Sequence, residues 1–189
     1  MALTLQHKAK GFYLRPFQLD DAQILYEFRV RNRASHQPFE PKRDPSFFTL
    51  EMQEELIRQR RDDADHDLAY MFGVFDALDD RLLGHITLSN ISRGFGQYAD
   101  VGYSMDHEEQ GRGIMTAALQ LVLQYAFRSL KLHRIQAIIL PTNHRSRRVL
   151  EKAGFRSEGI CRQILKINDQ WTDQERYAII EGDIPEYSK

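Results

Sequence analysis

The chain has 189 residues, enough for one domain with a sizeable core, and its 42% hydrophobic and 28% charged content is that of an ordinary globular protein. A net charge of -1 excludes a global basic field for gripping nucleic acid or an anionic membrane surface. The one cysteine, Cys161, excludes an intrachain disulfide and suits a reducing cytoplasm, and no apolar run approaches the ~20 residues of a membrane span.

In chain order, residues 11–18 read as a strand that Pro16 places at an edge or an end. Asp20 with Gln23 three residues later reads as a capping box, and Ile24, Leu25 and Phe28 then fall at helical spacing. Pro38, Pro41 and Pro45 make residues 36–46 an extended loop, followed by a helix from Thr49 to about Arg61. Three strands are predicted at Leu68–Asp76, Leu82–Ser89 and Tyr98–Met105, with polar connections at 77–81 and 93–97. After Gly113, Leu119, Val122, Leu123, Ala126 and Leu130 mark the buried face of a strong helix. A strand over Arg134–Leu140, a short helix over Ser146–Ala153 stopped by Gly154, and strands at about 160–168 and 171–180 complete a mixed α/β or α+β domain spanning 1–189.

The sharpest local signal is Gln110-Gly111-Arg112-Gly113-Ile114-Met115, between a strand and a long helix. Two glycines let the backbone approach a ligand closely, and the helix start offers unpaired N–H groups and a positive dipole end to a pyrophosphate. Arg112 adds a possible charge-assisted contact. Equally, this is a plain glycine-containing turn. A Rossmann fingerprint and a Walker loop are excluded, because no third glycine and no Gly-Lys-Ser/Thr follows.

The hexamer resembles the Gln/Arg-x-x-Gly-x-Gly/Ala signature of the GNAT acetyltransferases, with Met115 in place of the usual small residue and less room at the helix start. Asn143-His144-Arg145-Ser146 resembles the family's Asn-x-x-Ser/Ala element, and Ala153-Gly154-Phe155 with Ser157-Glu158-Gly159 its passage into the last strands. Beyond the superfamily, residues 11–175 resemble RimJ-type enzymes, N-acetyltransferases of a ribosomal protein's N-terminal alanine. Pro38-Phe39-Glu40-Pro41-Lys42-Arg43-Asp44, Ser89-Asn90-Ile91-Ser92-Arg93-Gly94 and Asp169-Gln170-Trp171 are among the stretches that carry this likeness.

The resemblance implies the GNAT fold, a central, mostly antiparallel sheet flanked by helices, with two parallel strands (98–105 and 134–140) splayed apart. It implies acetyl-CoA as co-substrate, no metal, and direct attack by an amine in a ternary complex. The cofactor would be held by Gln110 to Met115, by the backbone of Tyr103 and Met105, and by Asn143 and Ser146. Arg148, with Arg145 and Arg147, either meets the 3′-phosphate or lies on a solvated helix face. Asp100 occupies the carboxylate position of the family's Ala-Glu-Ile-Gly-Tyr strand, either as a general base through water or as a hydrogen-bonded structural group. Ser146 is either the acid or an N-cap. Glu40 and Asp44 would attract a cationic terminus and basic residues behind it. The seven histidines show no metal-ligand spacing, His133 reads as a strand-start hydrogen-bonder, and Cys161 and Trp171 read as packed residues, Trp171 alternatively as a groove wall. The expected acceptor is a small-subunit ribosomal protein N-terminus, with the ribosome as a possible partner, in a cytoplasmic monomer or homodimer with no nucleic-acid or membrane contact. The rivals are acetylation of a small amine or another protein terminus, and a non-catalytic acetyl-CoA-binding module.

Overall fold

A computed structural model describes residues 3–184, so of the domain expected over 1–189, residues 1–2 and 185–189 lie outside the described residues. Strands β1 (Leu5–His7), β2 (Phe12–Pro16), β3 (Tyr70–Asp76), β4 (Leu82–Ser92), β5 (Tyr98–Met105), β6 (Arg134–Ile139), β7 (Arg156–Ile167) and β8 (Gln170–Ile180) form one sheet in the order β1-β2-β3-β4-β5-β6-β8-β7. Every neighbouring pair is antiparallel except β5 and β6. A parallel pair needs a long crossover, and helix α3 (Ile114–Arg128) supplies it.

The sheet is covered on both faces. Helices α1 (Ala22–His36) and α2 (Leu50–Asp65) bring Leu25, Phe28 and Ile57 against Met71 and Phe75. On the other face, Leu119, Val122, Leu123 and Ala126 of α3, with Leu150 of α4 (His144–Ala153), pack on Phe72, Val74, Leu88 and Ile135. Because both its faces are covered, β3 reads as an apolar run rather than an alternation. Leu130 packs against this core from beyond the helix end, since α3 stops at Arg128.

Boundaries moved for local reasons. The capping interaction sits earlier than the Asp20–Gln23 box: Asp21 Oδ2 accepts from the Gln18 N–H at 2.6 Å over a 3₁₀ turn, and α1 starts at Ala22. Thr49 does cap α2, its Oγ1 accepting from the Met52 N–H, but the helix runs on to Asp65 along a charged face that carries no stop signal. Between them, residues 37–39 and 45–48 wind into 3₁₀ turns rather than a continuous extended loop, as proline at the first turn permits. Strand β1 and the early start of β7 lack an apolar alternation because both lie at sheet edges. The same edge leaves Cys161 half-buried and Trp171 62% exposed, not packed inside. His133 does hold the start of β6, through its backbone bonds to Gln97 and Glu181.

Candidate active site

Parallel pairing of β5 with β6 covers only Tyr98–Asp100 against Arg134–Gln136. Beyond that point the strands part, and Val101–Met105 and Ala137–Ile139 wall a cavity of about 690 Å³. Each parted strand keeps its outer partner, β4 for one and β8 for the other, so the gap is held open by the rest of the sheet.

At one end of the cavity lies the start of α3. Gly111 (φ +81°) and Gly113 (φ +73°) occupy the left-handed region, where any other L-residue costs about 1–2 kcal/mol. Gly113 caps α3 without a side chain, and no acidic residue sits in the first turn, so the first N–H groups and the positive dipole end stay available. A Cβ at Gly111 would meet nothing within 4 Å. Together these features fit a pyrophosphate. Gln110 lines the cavity and accepts at Oε1 from Arg145 Nη1 at 2.6 Å, linking this turn to α4.

Two side chains of this turn take places that the spacing does not show. The Arg112 guanidinium pairs with buried Glu109, which also holds Arg81 and itself lines the cavity, while Arg112 is not among the lining residues. Its carbonyl accepts from Lys10 Nζ at 3.3 Å, and a Cβ on Gly113 would lie 3.3 Å from that same ammonium. Met115 is buried beneath β4, its Cε 3.2 Å from where a Gly84 Cβ would stand, and it also lines the cavity at the helix start. Ile114 is likewise buried.

The start of α4 forms the facing wall. Asn143, not Ser146, is the N-cap, its Oδ1 accepting from the Ser146 N–H at 3.1 Å. That leaves the Ser146 hydroxyl for Tyr103, whose phenol lies 2.8 Å from Ser146 Oγ and 3.2 Å from the Ser146 carbonyl. Burial pushes the Tyr103 phenol well up, against the opposing effect of the Ser146 bond, so it stays a neutral O–H. The basic cluster divides: Arg147 donates to Glu175 at 2.7 Å and to the Pro141 carbonyl, while Arg148 lines the cavity.

A further wall of the cavity, from the end of α1 and the loop after it, is formed by His36, Phe39 and Glu40. His36 Nε2 lies 2.9 Å from the Met105 carbonyl, which can only accept, so Nε2 carries a proton. Glu40 Oε1 accepts from Ser104 Oγ at 3.2 Å and lies 4.0 Å from His36 Nδ1. Strand alternation puts Asp100, Gly102 and Ser104 on one face of β5. A Cβ on Gly102 would meet nothing within 4 Å.

Asp100 and Asp44 are not brought to the cavity. Asp100 sits where β5 and β6 are still paired, one oxygen accepting from Gln136 Nε2 at 2.8 Å and the other from Asn90 Nδ2 at 2.7 Å. Asp44 caps its own 3₁₀ turn, and the Ser46 hydroxyl and N–H hold its carboxyl below the usual range. Sequence reasoning missed His36, Lys10 and the Tyr103 hydroxyl. His36 and Lys10 carry no local signal, because their partners are 69 and 102 residues away. Tyr103 stood in a motif but was read only for its backbone.

Residues 12–156 match the family described as the acetyltransferase (GNAT) domain. The chain is 43% identical over 176 residues to the probable N-acetyltransferase YjcK of Bacillus subtilis (strain 168), across 93% of this chain and 97% of that protein. The crystal structure of a ribosomal-protein-S5-alanine acetyltransferase from Vibrio fischeri superposes with a TM-score of 0.90 at 33% identity, covering 97% of this chain and 99% of that one. Mycobacterium smegmatis RimJ, solved in complex with a coenzyme A disulfide, gives a TM-score of 0.88 at 30% identity over 94% and 86% of the two chains. With a splayed parallel pair, an uncapped helix start at its mouth and a family match over most of its length, this chain belongs to the GNAT acetyltransferases and is an acetyl-CoA-dependent N-acetyltransferase.

Proposed function

We propose that the acceptor is the N-terminal amine of a small-subunit ribosomal protein, alanine first, entering as an extended chain and acetylated by direct attack in a ternary complex. The observation that carries this reading is Glu40: its carboxylate, fixed by Ser104, stands over the open face of β5 beside Gly102, in a wall of the cavity. The likeness to the Vibrio fischeri enzyme over 97% of the chain supports the choice of substrate.

When bound, acetyl-CoA supplies the acetyl group as a thioester. The backbone of Gly111–Gly113 and the first N–H groups of α3 hold the pyrophosphate, and Arg148 meets a phosphate. The edge of β5 beyond Asp100, unpaired on its β6 side, holds the pantetheine arm together with the Nδ2 amide of Asn143. Glu40 draws in the protonated terminus. A terminal amine with a pKa near ~8 is partly free at neutral pH, so positioning beside the acyl carbon does most of the work. Ser146 and Tyr103 keep hydroxyl protons where the departing sulfur gathers charge. Asp100, held by Asn90 and Gln136, fixes the point where the strands part.

Mass spectrometry of alanine-initiated peptides incubated with enzyme and acetyl-CoA tests the reading. One acetyl group at the α-amine is expected, with reactivity falling when a large residue replaces alanine. Faster acetylation of small polyamines than of every alanine-initiated peptide overturns it.

A further inference from the structure

A second cavity, about 410 Å³, adjoins the first and shares His36 and Glu40 with it. Its walls are α1, the 37–48 segment and the tip of the β7–β8 hairpin, where Asn168 is held by Gln37 and Asp169 by Lys42. Arg29 and Arg33, one helical turn apart, line it with Arg43 from the loop. Two perpendicular rings carry these cations: Arg29 and Arg43 lie 5.3 and 4.7 Å from the Phe47 centroid, and Arg33 lies 4.3 Å from that of Phe48. Stacking uses the guanidinium faces and leaves the N–H edges free.

Among the described residues, none of the three is within ion-pair distance of a carboxylate, and Arg29 Nε is buried with no hydrogen-bond partner. Several other half-buried arginines do hold a carboxylate at 2.5–2.7 Å, among them Arg15 with Asp21, Arg93 with Asp67, Arg134 with Glu158 and Arg147 with Glu175. In the cavity, Arg29, Arg33, Lys42 and Arg43 face only Glu40 and Asp169, and Asp169 is already tied to Lys42. Burial pulls Arg29 down to about 10, with Glu40 opposing and Arg43 adding to the effect, which still leaves it charged at neutral pH. Arg29 is half-buried with its Nε sealed off and unpartnered, while Arg33 and Arg43 keep exposed edges, and a bound anion with two oxygens would offset the cost of that unpaired charge.

We propose that this cavity is an anion subsite of the acceptor groove, which takes the carboxylate or phosphate of an acidic side chain within the first few residues behind the acetylated terminus. The proposal rests on the peptide-acceptor reading above, because Glu40 and His36 join the subsite to the place where the amine is received. It reverses the expectation that basic residues follow the terminus: the cavity lining holds Arg29, Arg33, Lys42 and Arg43 against only Glu40 and Asp169.

The test uses alanine-initiated peptides alike except for one glutamate moved through positions two to six, each compared with its glutamine counterpart. At one position glutamate should raise kcat/KM about tenfold, mostly through KM, the size of one charge-assisted hydrogen bond. The preference should fade with added salt. Arg33→Gln and Arg43→Gln should each bring the glutamate-to-glutamine ratio toward one, and Arg33→Glu should favour lysine at that position. A phosphoserine there that matches glutamate supports a general anion subsite, and one preferred over glutamate identifies phosphate as the source. Acetylation that is equal for glutamate and glutamine at every position overturns the subsite.

A second arm does not depend on the acceptor. Inorganic phosphate, titrated into enzyme saturated with coenzyme A, should raise Tm in the wild type and less in Arg33→Gln and Arg43→Gln. If no alanine-initiated peptide reacts, the acceptor reading fails, and the phosphate arm still decides the subsite: equal shifts in all three proteins overturn it. Competition by a short RNA but not by the acidic peptide also overturns it.

Discussion

At the cofactor end of the cavity, two short stretches of chain do nearly everything: residues 109–116 shape the α3 start, and residues 143–148 shape the α4 start. The acceptor end is assembled from distant parts, with His36 from the end of α1, Glu40 from the loop after it, Ser104 from β5, and Asn168 and Asp169 from the last hairpin. On the proposed reading, the cofactor end would bind with backbone groups, which any sequence of permitted dihedral angles can supply. The acceptor end would bind with side chains, whose charges decide what it accepts. Chemistry common to a family therefore sits in a local motif, while specificity sits in long-range contacts that can change one residue at a time.

The largest effect should come from breaking the cofactor end. Gly113→Val puts a branched side chain at φ +73° and against Lys10, displacing the backbone from the pyrophosphate path. Affinity for coenzyme A by calorimetry should fall about 100-fold or more, with a stability loss of about 1–2 kcal/mol from the dihedral alone. Gly113→Asn, which tolerates this conformation better, separates the two effects. Unchanged affinity in the folded valine variant would return Gly111–Gly113 to an ordinary turn.

At the acceptor end, Glu40→Gln should raise the peptide KM about tenfold and leave the acetyl-CoA KM nearly alone, since one charge in the mouth is lost. Asp100→Asn should matter less, about threefold or below in kcat, because Asp100 faces Asn90 and Gln136 rather than the cavity. A greater than 100-fold kcat loss in Asp100→Asn, with recovery at high pH, would make Asp100 the base and break the division of labour drawn here.

Much of the fold was legible because its signals are local. The α3 face, Gly154 at +98° ending α4, and strands β3 to β6 all show in spacing or punctuation. The glycine turn at 110–113 was legible for the same reason. The pairing of Arg112 was not, because its partner, Glu109, is shared with Arg81 from the turn before β4. For Ser146 the two readings, acid or N-cap, could not be separated, because either Asn143 or Ser146 suits an N-cap and only the backbone path gives that place to Asn143. Asp44 looked like a substrate carboxylate, yet Asp-Pro-Ser is also what a capped 3₁₀ turn needs. The arginine-lined cavity has no local signal at all, since its cations are spread from Arg29 to Arg43 and its lid comes from Asn168 and Asp169.

A smaller effect is expected where the two ends meet. Tyr103→Phe removes the phenol that touches Ser146 and should lower kcat about tenfold, with little change in either KM. Ser146→Ala should give a similar loss, and the double variant little more than either alone, because the hydroxyls act as one unit. Additive losses in that cycle would separate them.

The smallest effect concerns His85 on β4, which lies behind the arginine-lined cavity. Its ring is 7% exposed, edge-on to Phe28 at 5.9 Å, and neither nitrogen has a hydrogen-bond partner among the described residues. Burial, reinforced by the charges of Arg29 and His36, holds it neutral well below the ordinary histidine range. The unfolded chain protonates His85 as pH falls through about 6.5, while the folded chain does not, so protons favour the unfolded state there. Its contribution is fully present above that pH and declines below it. Between pH 7.5 and 5.5 this amounts to about 1.4 kcal/mol, read as the difference between wild type and His85→Met in urea unfolding at the two pH values. At the cofactor end, burial shifts the Tyr103 phenol instead, and that shift lies on the alkaline side. A wild-type acid limb no steeper than that of His85→Met would mean that His85 takes up its proton in the folded state, with an anion or water reaching it past Arg29. That outcome would place solvent deeper in the acceptor half than the packing of Phe28 and Arg29 allows.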